Sequence, residues 1–196
     1  MSARHTRKEE IFTHEYLWRS SSALAEIVES TQATSHHFII PALVMTLMAF
    51  EAFVNFCGFV LLPDIWKNER EEFRGKGIEG KLTAIAERLP NFEWRKGEDP
   101  YQSIKRLFTL RNLVAHGEVY ANKYDVEHDE GGEDFRWNHP WDTYLTTESV
   151  AKAREDVRSF CQSIVEAMRD ESDHPHIIHH DAFMGPLGSG FGQRAI

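Results

Sequence analysis

The chain has 196 residues, which is enough for one domain with a substantial core and too few to make two domains the default expectation. A charged fraction of 27% and a hydrophobic fraction of 41% are typical of a soluble globular protein, and a net charge of −9 argues against broad electrostatic capture of nucleic acid. Any role with nucleic acid must therefore depend on a local site.

The cysteines and the N-terminal segment both indicate the cellular compartment of the protein. The two cysteines, Cys57 and Cys161, fall inside apolar helical patterns, so we expect buried thiols and not a disulfide-built secreted scaffold. The segment MSARHTRKEE has no apolar run after its basic residues, so it is not a secretory signal. We therefore expect a cytoplasmic protein.

Two helices are predicted in the first third of the chain. Residues 9–31 carry apolar side chains at spacings of three, four and seven, which indicates one buried face. Residues 38–62 are the most apolar segment, and Pro63 ends it. Its length allows a transmembrane helix, but Glu51 and Asn55 near its middle are costly in lipid and favour a central buried helix without membrane contact. These two polar residues are four apart and share one face.

A connector and a third helix follow. Residues 63–80 are charged and glycine-rich, with a short helical piece around residues 65–73. Residues 78–89 predict a modest amphipathic helix that ends near Pro90. A proline-containing loop then leads to Tyr101, where the next helix begins.

The segment YQSIKRLFTLRNLVAHG, residues 101–117, places a charge inside an apolar helical pattern. Arg111 lies in the middle of the predicted apolar stripe, so it needs a buried partner or a binding site, and Glu51 is the candidate partner. Asn112 and His116 share a different face, about 100° or more from Arg111. Gly117 is placed to end the helix, with His116 in its last turn. The predicted stripe consists of Ile104, Leu107, Phe108, Val114 and Ala115.

The C-terminal third begins with an acidic insert at residues 121–146, in which alternating polarity around DEGGE predicts a small exposed hairpin. Thr147 is the expected N-cap of a long last helix that reaches about residue 170. The predicted fold is all-α, a four-to-five-helix up-down bundle in a single domain over residues 1–171. Residues 172–196 form a His/Gly-rich tail that we expect to be flexible.

The tail contains the cluster HPHIIHH, with His174, His176, His179 and His180. Imidazoles at such short spacing can bind zinc or nickel. Glycines and a proline follow the cluster instead of a structured element, which favours adventitious affinity in a flexible tail. We therefore expect no metal or other cofactor.

The segment RNLVAHG resembles the signature of the HEPN superfamily, in which an arginine and a polar residue are separated from a histidine by three to five further residues. The helical layout from about residue 10 to residue 170 fits the same resemblance. Spacing alone is weak, because Arg169 and His174 repeat it at a helix end. Arg111 differs in its context: Asn112 follows it, and a glycine follows His116.

The resemblance implies an all-α bundle that forms a homodimer, with two motifs facing one shared cleft. In active members it implies a metal-independent endoribonuclease, which here would act as a toxin or antiviral-defence effector with an antitoxin or partner that the sequence does not identify. His116 would move protons, Arg111 would stabilise the phosphorane, Asn112 would orient His116 or bind a phosphate oxygen, and Glu51, with Asn55 beside it, would support Arg111.

Two alternatives remain open at the level of sequence. The same bundle can serve as a non-catalytic dimerisation or interaction module, with Arg111 and Glu51 only joining two helices. Nucleotide-modifying toxin systems of the superfamily often have a tyrosine two residues after the histidine, whereas Glu118 stands at that position and Tyr120 follows. That departure disfavours a toxin controlled by modification.

Overall fold

The computed structural model describes residues 11–31, 36–116, 141–174, 177 and 181–183. Every regular element in these ranges is helical, which confirms the predicted all-α class. The predicted hairpin lies mostly outside the described residues, and the end of the insert that is described forms a 3-10 turn at Asp142–Tyr144. The helices are α1 (Thr13–Thr31), α2 (His36–Leu61), α3 (Pro63–Trp66), α4 (Glu69–Glu72), α5 (Gly77–Arg88), α6 (Tyr101–His116) and α7 (Thr147–Arg169).

Helix α2 is the centre of the fold and packs against α1, α5, α6 and α7. Its apolar composition explains this position, because side chains such as Phe50 and Leu47 are fully buried. Within the described ranges it is also the one helix, from His37 to Leu61, that is long and apolar enough to cross a membrane. Half of an apolar 18-residue window within that stretch is buried inside the fold, and the core helix of a soluble protein meets the same criterion.

Helices α1 and α2 form an antiparallel pair. The Ser21 and Thr46 hydroxyls lie 2.6 Å apart near the middle of the pair. Nearer the start of α1, the His14 ring is 5.6 Å from the ring of Phe53, further along α2. The pair is therefore joined by polar contacts at one level and by aromatic contacts at another.

Both cysteines are free and buried, in α2 and α7. Burial raises the pKa of the Cys57 and Cys161 thiols, because the thiolate loses its hydration. Both thiols are therefore protonated at neutral pH and unreactive.

Gly58 allows α2 to contact the ring of Trp66 closely. A Cβ atom at this position would lie 2.0 Å from the Trp66 ring, which itself packs 4.8 Å from the Phe73 ring. We expect Gly58→Ala to lower the free energy of unfolding by about 1–3 kcal/mol in a urea titration, because overpacking outweighs the better helix propensity of alanine. Gly97→Ala is the control, since a Cβ there meets nothing within 4 Å. Equal free energies for both variants would contradict this account.

The last helix begins one residue away from the predicted cap position. Thr146 has an extended backbone conformation and its hydroxyl oxygen accepts the Ser149 N–H at 3.0 Å, so Thr146 is the N-cap and Thr147 is the first helical residue. The prediction of Thr147 was wrong because two adjacent threonines offer the same chemistry. Only backbone conformation distinguishes them.

Part of the tail belongs to the core. Ile177, Ala182 and Phe183 are buried, and the Phe183 ring stacks on the Trp18 ring at 4.1 Å. Arg158 of α7 donates to the carboxylate of Asp181 at 2.7 Å. These three apolar side chains among the histidines and glycines belong to the hydrophobic core, and the Phe183 ring contacts Trp18 of α1 and Phe53 of α2. For the rest of the tail, flexibility stays a prediction. Residues 184–196 lie outside the described residues.

Candidate functional site

The core-facing stripe of α6 is shorter than the sequence pattern predicts. The buried residues run from Tyr101 to Leu110, whereas Val114 and Ala115 are exposed. The predicted continuation of the stripe through these two residues was wrong, because packing by the neighbouring helices ends one turn earlier. The segment from Arg111 to His116 therefore lies at the surface of the bundle.

Arg111 forms an ion pair with Glu51, the partner that was expected from the sequence. Its Nη2 atom lies 3.6 Å from Oε1 of Glu51, and its guanidinium carbon lies 5.6 Å from the Phe108 ring centroid. The Arg111 and Glu51 side chains are 39% and 35% exposed, so the expectation of a buried pair was wrong. The Arg111 Nε atom is buried and has no hydrogen-bond partner among the described residues. A ligand cannot reach the buried Nε–H, so the donors that remain for one are on the Nη atoms, whose contact with Glu51 is longer than a hydrogen bond.

Glu51 also faces a second cation. Burial raises the pKa of Glu51 above its ordinary value, and the attraction of Arg111 and Lys81 only partly offsets this. Its ionised form is therefore held at a net cost to folding. A carboxylate kept under such conditions is typical of a residue retained for something other than stability.

This cost gives a pH-dependent prediction for Glu51→Gln. Because the folded-state pKa of Glu51 lies above its ordinary value of 4.5, wild-type protein loses free energy of unfolding as pH rises from about that value through the folded pKa. Glutamine cannot ionise, so the variant should match wild type below pH 4.5 and be the more stable of the two at pH 7. Urea titrations between pH 4 and pH 8 measure the difference, with the exposed Glu87→Gln as control. A variant less stable than wild type at pH 7 would contradict the assignment.

A cleft of about 440 Å³ adjoins the pair, between α2, α4 and α5. Glu51 and Asn55 line it from α2, and Lys81 lines it from α5. The Lys81 ammonium donates to Asn55 Oδ1 at 2.7 Å and also pairs with Glu69. Asn55 thus lies beside Glu51 as its spacing predicted. Lys81 was missed, because no sequence pattern links α5 to this face of α2.

Asn112 and His116 are exposed on the last turns of α6. At 100° per residue, His116 lies about 140° around the helix from Arg111. No hydrogen bond or ion pair joins these two residues in the part of the chain described. One copy of the helix therefore presents the cation and the imidazole on different sides.

Only His174 of the histidine cluster is among the described residues. The His174 ring lies 5.6 Å from the Phe56 ring, so this residue contacts the core. His176, His179 and His180 lie outside the described residues. In the ranges that are described, no group of three histidine, cysteine, aspartate or glutamate side chains is placed to hold a metal ion.

The geometry therefore brings together Arg111, Glu51, Asn55 and Lys81, and leaves Asn112 and His116 exposed at the end of the same helix. Such a surface offers cationic donors for an anion and an imidazole for proton transfer. Comparison of the chain with protein-family models, with curated proteins and with solved structures found no match.

Proposed function

We propose that the protein is a metal-independent endoribonuclease of the HEPN type that acts as a cytoplasmic homodimer, in a toxin or antiviral-defence role. The observation that carries the proposal is the ion pair of Arg111 with Glu51 at 3.6 Å, on a helix whose last turns also expose Asn112 and His116. RNA cleavage without a metal needs a fixed cation for the phosphorane and a side chain that moves protons near neutral pH. The last turns of α6 carry both groups, but on different sides of the helix.

The reaction uses the ribose 2′-hydroxyl as nucleophile. An imidazole removes the 2′ proton while the oxygen attacks phosphorus, and the leaving 5′ oxygen takes up a proton. The products are a 2′,3′-cyclic phosphate and a free 5′-hydroxyl. Arg111 faces the equatorial oxygens of the phosphorane, and the Asn112 amide donates to a phosphate oxygen or orients His116. Each chain supplies one motif imidazole, so a dimer supplies a base and an acid.

A second copy of the chain can bring together the two groups that one helix holds apart. Since His116 and Arg111 lie on different sides of α6, a two-fold interface can place the imidazole of one copy opposite the guanidinium of the other. The neighbouring face of α2 is apolar and exposed: Met48 and Phe59 are 41% and 65% exposed. They are three helical turns apart and share the side that carries Glu51 and Asn55.

The exposed face of α2 also favours a second candidate function, a non-catalytic dimerisation or interaction module. In that case Arg111 and Glu51 only join α6 to α2, and His116 is a surface residue. The two functions differ in chemistry and not in assembly. Both predict that the α2 face is covered, and only the first predicts bond cleavage.

The test is incubation of the purified full chain with mixed RNA in EDTA. We expect cleavage that survives chelation and leaves 2′,3′-cyclic phosphate ends, which enzymatic end-labelling detects. Growth arrest on expression would be the supporting observation. A folded dimer that leaves RNA intact under these conditions would favour the interaction module.

A further inference from the structure

A second cavity, of about 260 Å³, lies on another side of α6, between α6, α7 and the 3-10 turn. Arg106 contributes from α6, five residues before Arg111 and about 140° around the helix from it. Lys152 contributes from α7. The cavity is therefore distinct from the Arg111 surface and does not depend on the proposed ribonuclease.

The charges around this cavity are arranged asymmetrically. Its lining includes both cations but no aspartate or glutamate. The balancing carboxylates lie outside the lining: Asp99 is 3.6 Å from Arg106 and 3.7 Å from Lys152, and Asp156 accepts from Lys152 at 2.5 Å and 2.7 Å. Asp156 thus holds Lys152 in place, Asp99 faces both cations at a longer distance, and no carboxylate lines the interior.

The remaining polar lining consists of hydroxyl groups, which can all act as donors. Ser149 lies in the first turn of α7, a helix of 23 residues whose N-terminal end favours an anion. The buried side chains of Leu43 and Leu107 form an apolar wall. The hydroxyl-bearing residues are Ser103, Thr143, Tyr144 and Ser149.

We propose that this cavity binds a phosphate group carried by a small nucleotide or by an RNA strand. Two cations from facing helices and several hydroxyl donors match the three oxygens of a phosphate. The Arg106 pair with Asp99 is too long to be a strong hydrogen bond, and Lys152, which donates to both oxygens of Asp156, has a third N–H for a ligand. The volume lies slightly below the range of about 300–1,000 Å³ that holds drug-sized ligands, so the bound part is small. The apolar wall accommodates a sugar or a base edge.

Isothermal titration of the full chain with three probes tests this site. AMP carries a phosphate, adenosine is its matched control without one, and a short 2′-O-methyl oligoribonucleotide represents an RNA strand that cannot be cleaved through the 2′-hydroxyl. We expect AMP or the oligonucleotide to bind, and adenosine to bind at least tenfold more weakly than AMP if AMP is the ligand. Binding of AMP identifies a small nucleotide as the source, and binding of the oligonucleotide alone identifies RNA.

Two variants assign the binding to this cavity. Arg106→Gln removes one half-exposed cation and should weaken binding by about tenfold, the loss of one charge-assisted hydrogen bond. Ser149→Leu fills the cavity while leaving both cations and the backbone cap in place, and should weaken binding similarly. Arg95→Gln, which removes an exposed arginine elsewhere, should bind as wild type does. The proposal is overturned if wild type binds none of the probes, or if both cavity variants, folded by circular dichroism, bind unchanged.

Discussion

His116→Ala is expected to reduce chelator-resistant RNA cleavage by about 10²- to 10⁴-fold, the usual contribution of a positioned proton-transfer group. The residue is exposed at the end of α6, so its removal leaves the core intact and the free energy of unfolding within about 0.5 kcal/mol of wild type. Cleavage rates measured in EDTA, with circular dichroism of the same samples, separate lost chemistry from lost folding.

Arg111 provides a companion test, because its proposed role depends on shape as well as charge. Arg111→Lys keeps a cation near Glu51 but loses the planar fork of donors, so we expect most of the activity to be lost. Arg169→Ala is the matched control: together with His174 it repeats the same spacing in the sequence, and it is exposed at the end of α7. Full activity in both motif variants would eliminate the ribonuclease proposal, and equal loss in Arg169→Ala would show that the effect is not specific to the motif.

The sequence predicted the helices well where apolar periodicity was strong. The segment predicted at residues 38–62 is α2, His36–Leu61, and the helix expected from Tyr101 begins there. The contact between Arg111 and Glu51 followed from electrostatics, because a guanidinium within an apolar stripe needs an acceptor, and Glu51 is the acid in the most apolar helix. These inferences needed only local spacing and the high cost of an unpaired charge.

What could not be predicted is where the core ends. Helical periodicity gives the direction of a side chain but not the reach of the neighbouring helices, so Val114 was expected inside and is exposed. The contact of Phe183 with Trp18 joins residues that are far apart in the sequence, and no local pattern indicates it. Lys81 reaches Asn55 only because the charged connector folds α5 back onto α2. Such features depend on tertiary packing.

The two sides of α2 contribute differently to the stability of the fold. The buried side of this helix is filled by aromatic and aliphatic residues, whereas its other side carries Glu51, whose pKa is raised by burial. Met48 and Phe59 lie on the same side. Because much of their apolar surface stays in contact with water, their burial contributes little to the stability of one isolated chain. Exposed apolar side chains on this side of α2 are explained if a second copy of the chain covers them.

If the proposed homodimer forms through this face, Met48→Glu is expected to weaken it by at least about thirtyfold, which corresponds to the loss of one interface residue worth about 2 kcal/mol. Two-fold symmetry in the proposed dimer would place the substituted glutamate on both sides of the interface, where two charges would lose hydration and repel each other. Because Met48 is already 41% exposed in the single chain, the fold itself should be unaffected. Sedimentation velocity over a range of protein concentrations measures the change.

The control for Met48→Glu is Tyr16→Glu, which introduces the same charge at an exposed position on α1, and it should leave the dimer intact. If the imidazole of one copy acts with the guanidinium of the other, cleavage by Met48→Glu should fall in proportion to the dimer fraction and recover at high protein concentration. A dimer unchanged by Met48→Glu would place the interface elsewhere. Full cleavage by a monomeric Met48→Glu variant would show that one chain holds the complete site. That result would contradict the proposed pairing of His116 from one copy with Arg111 from the other.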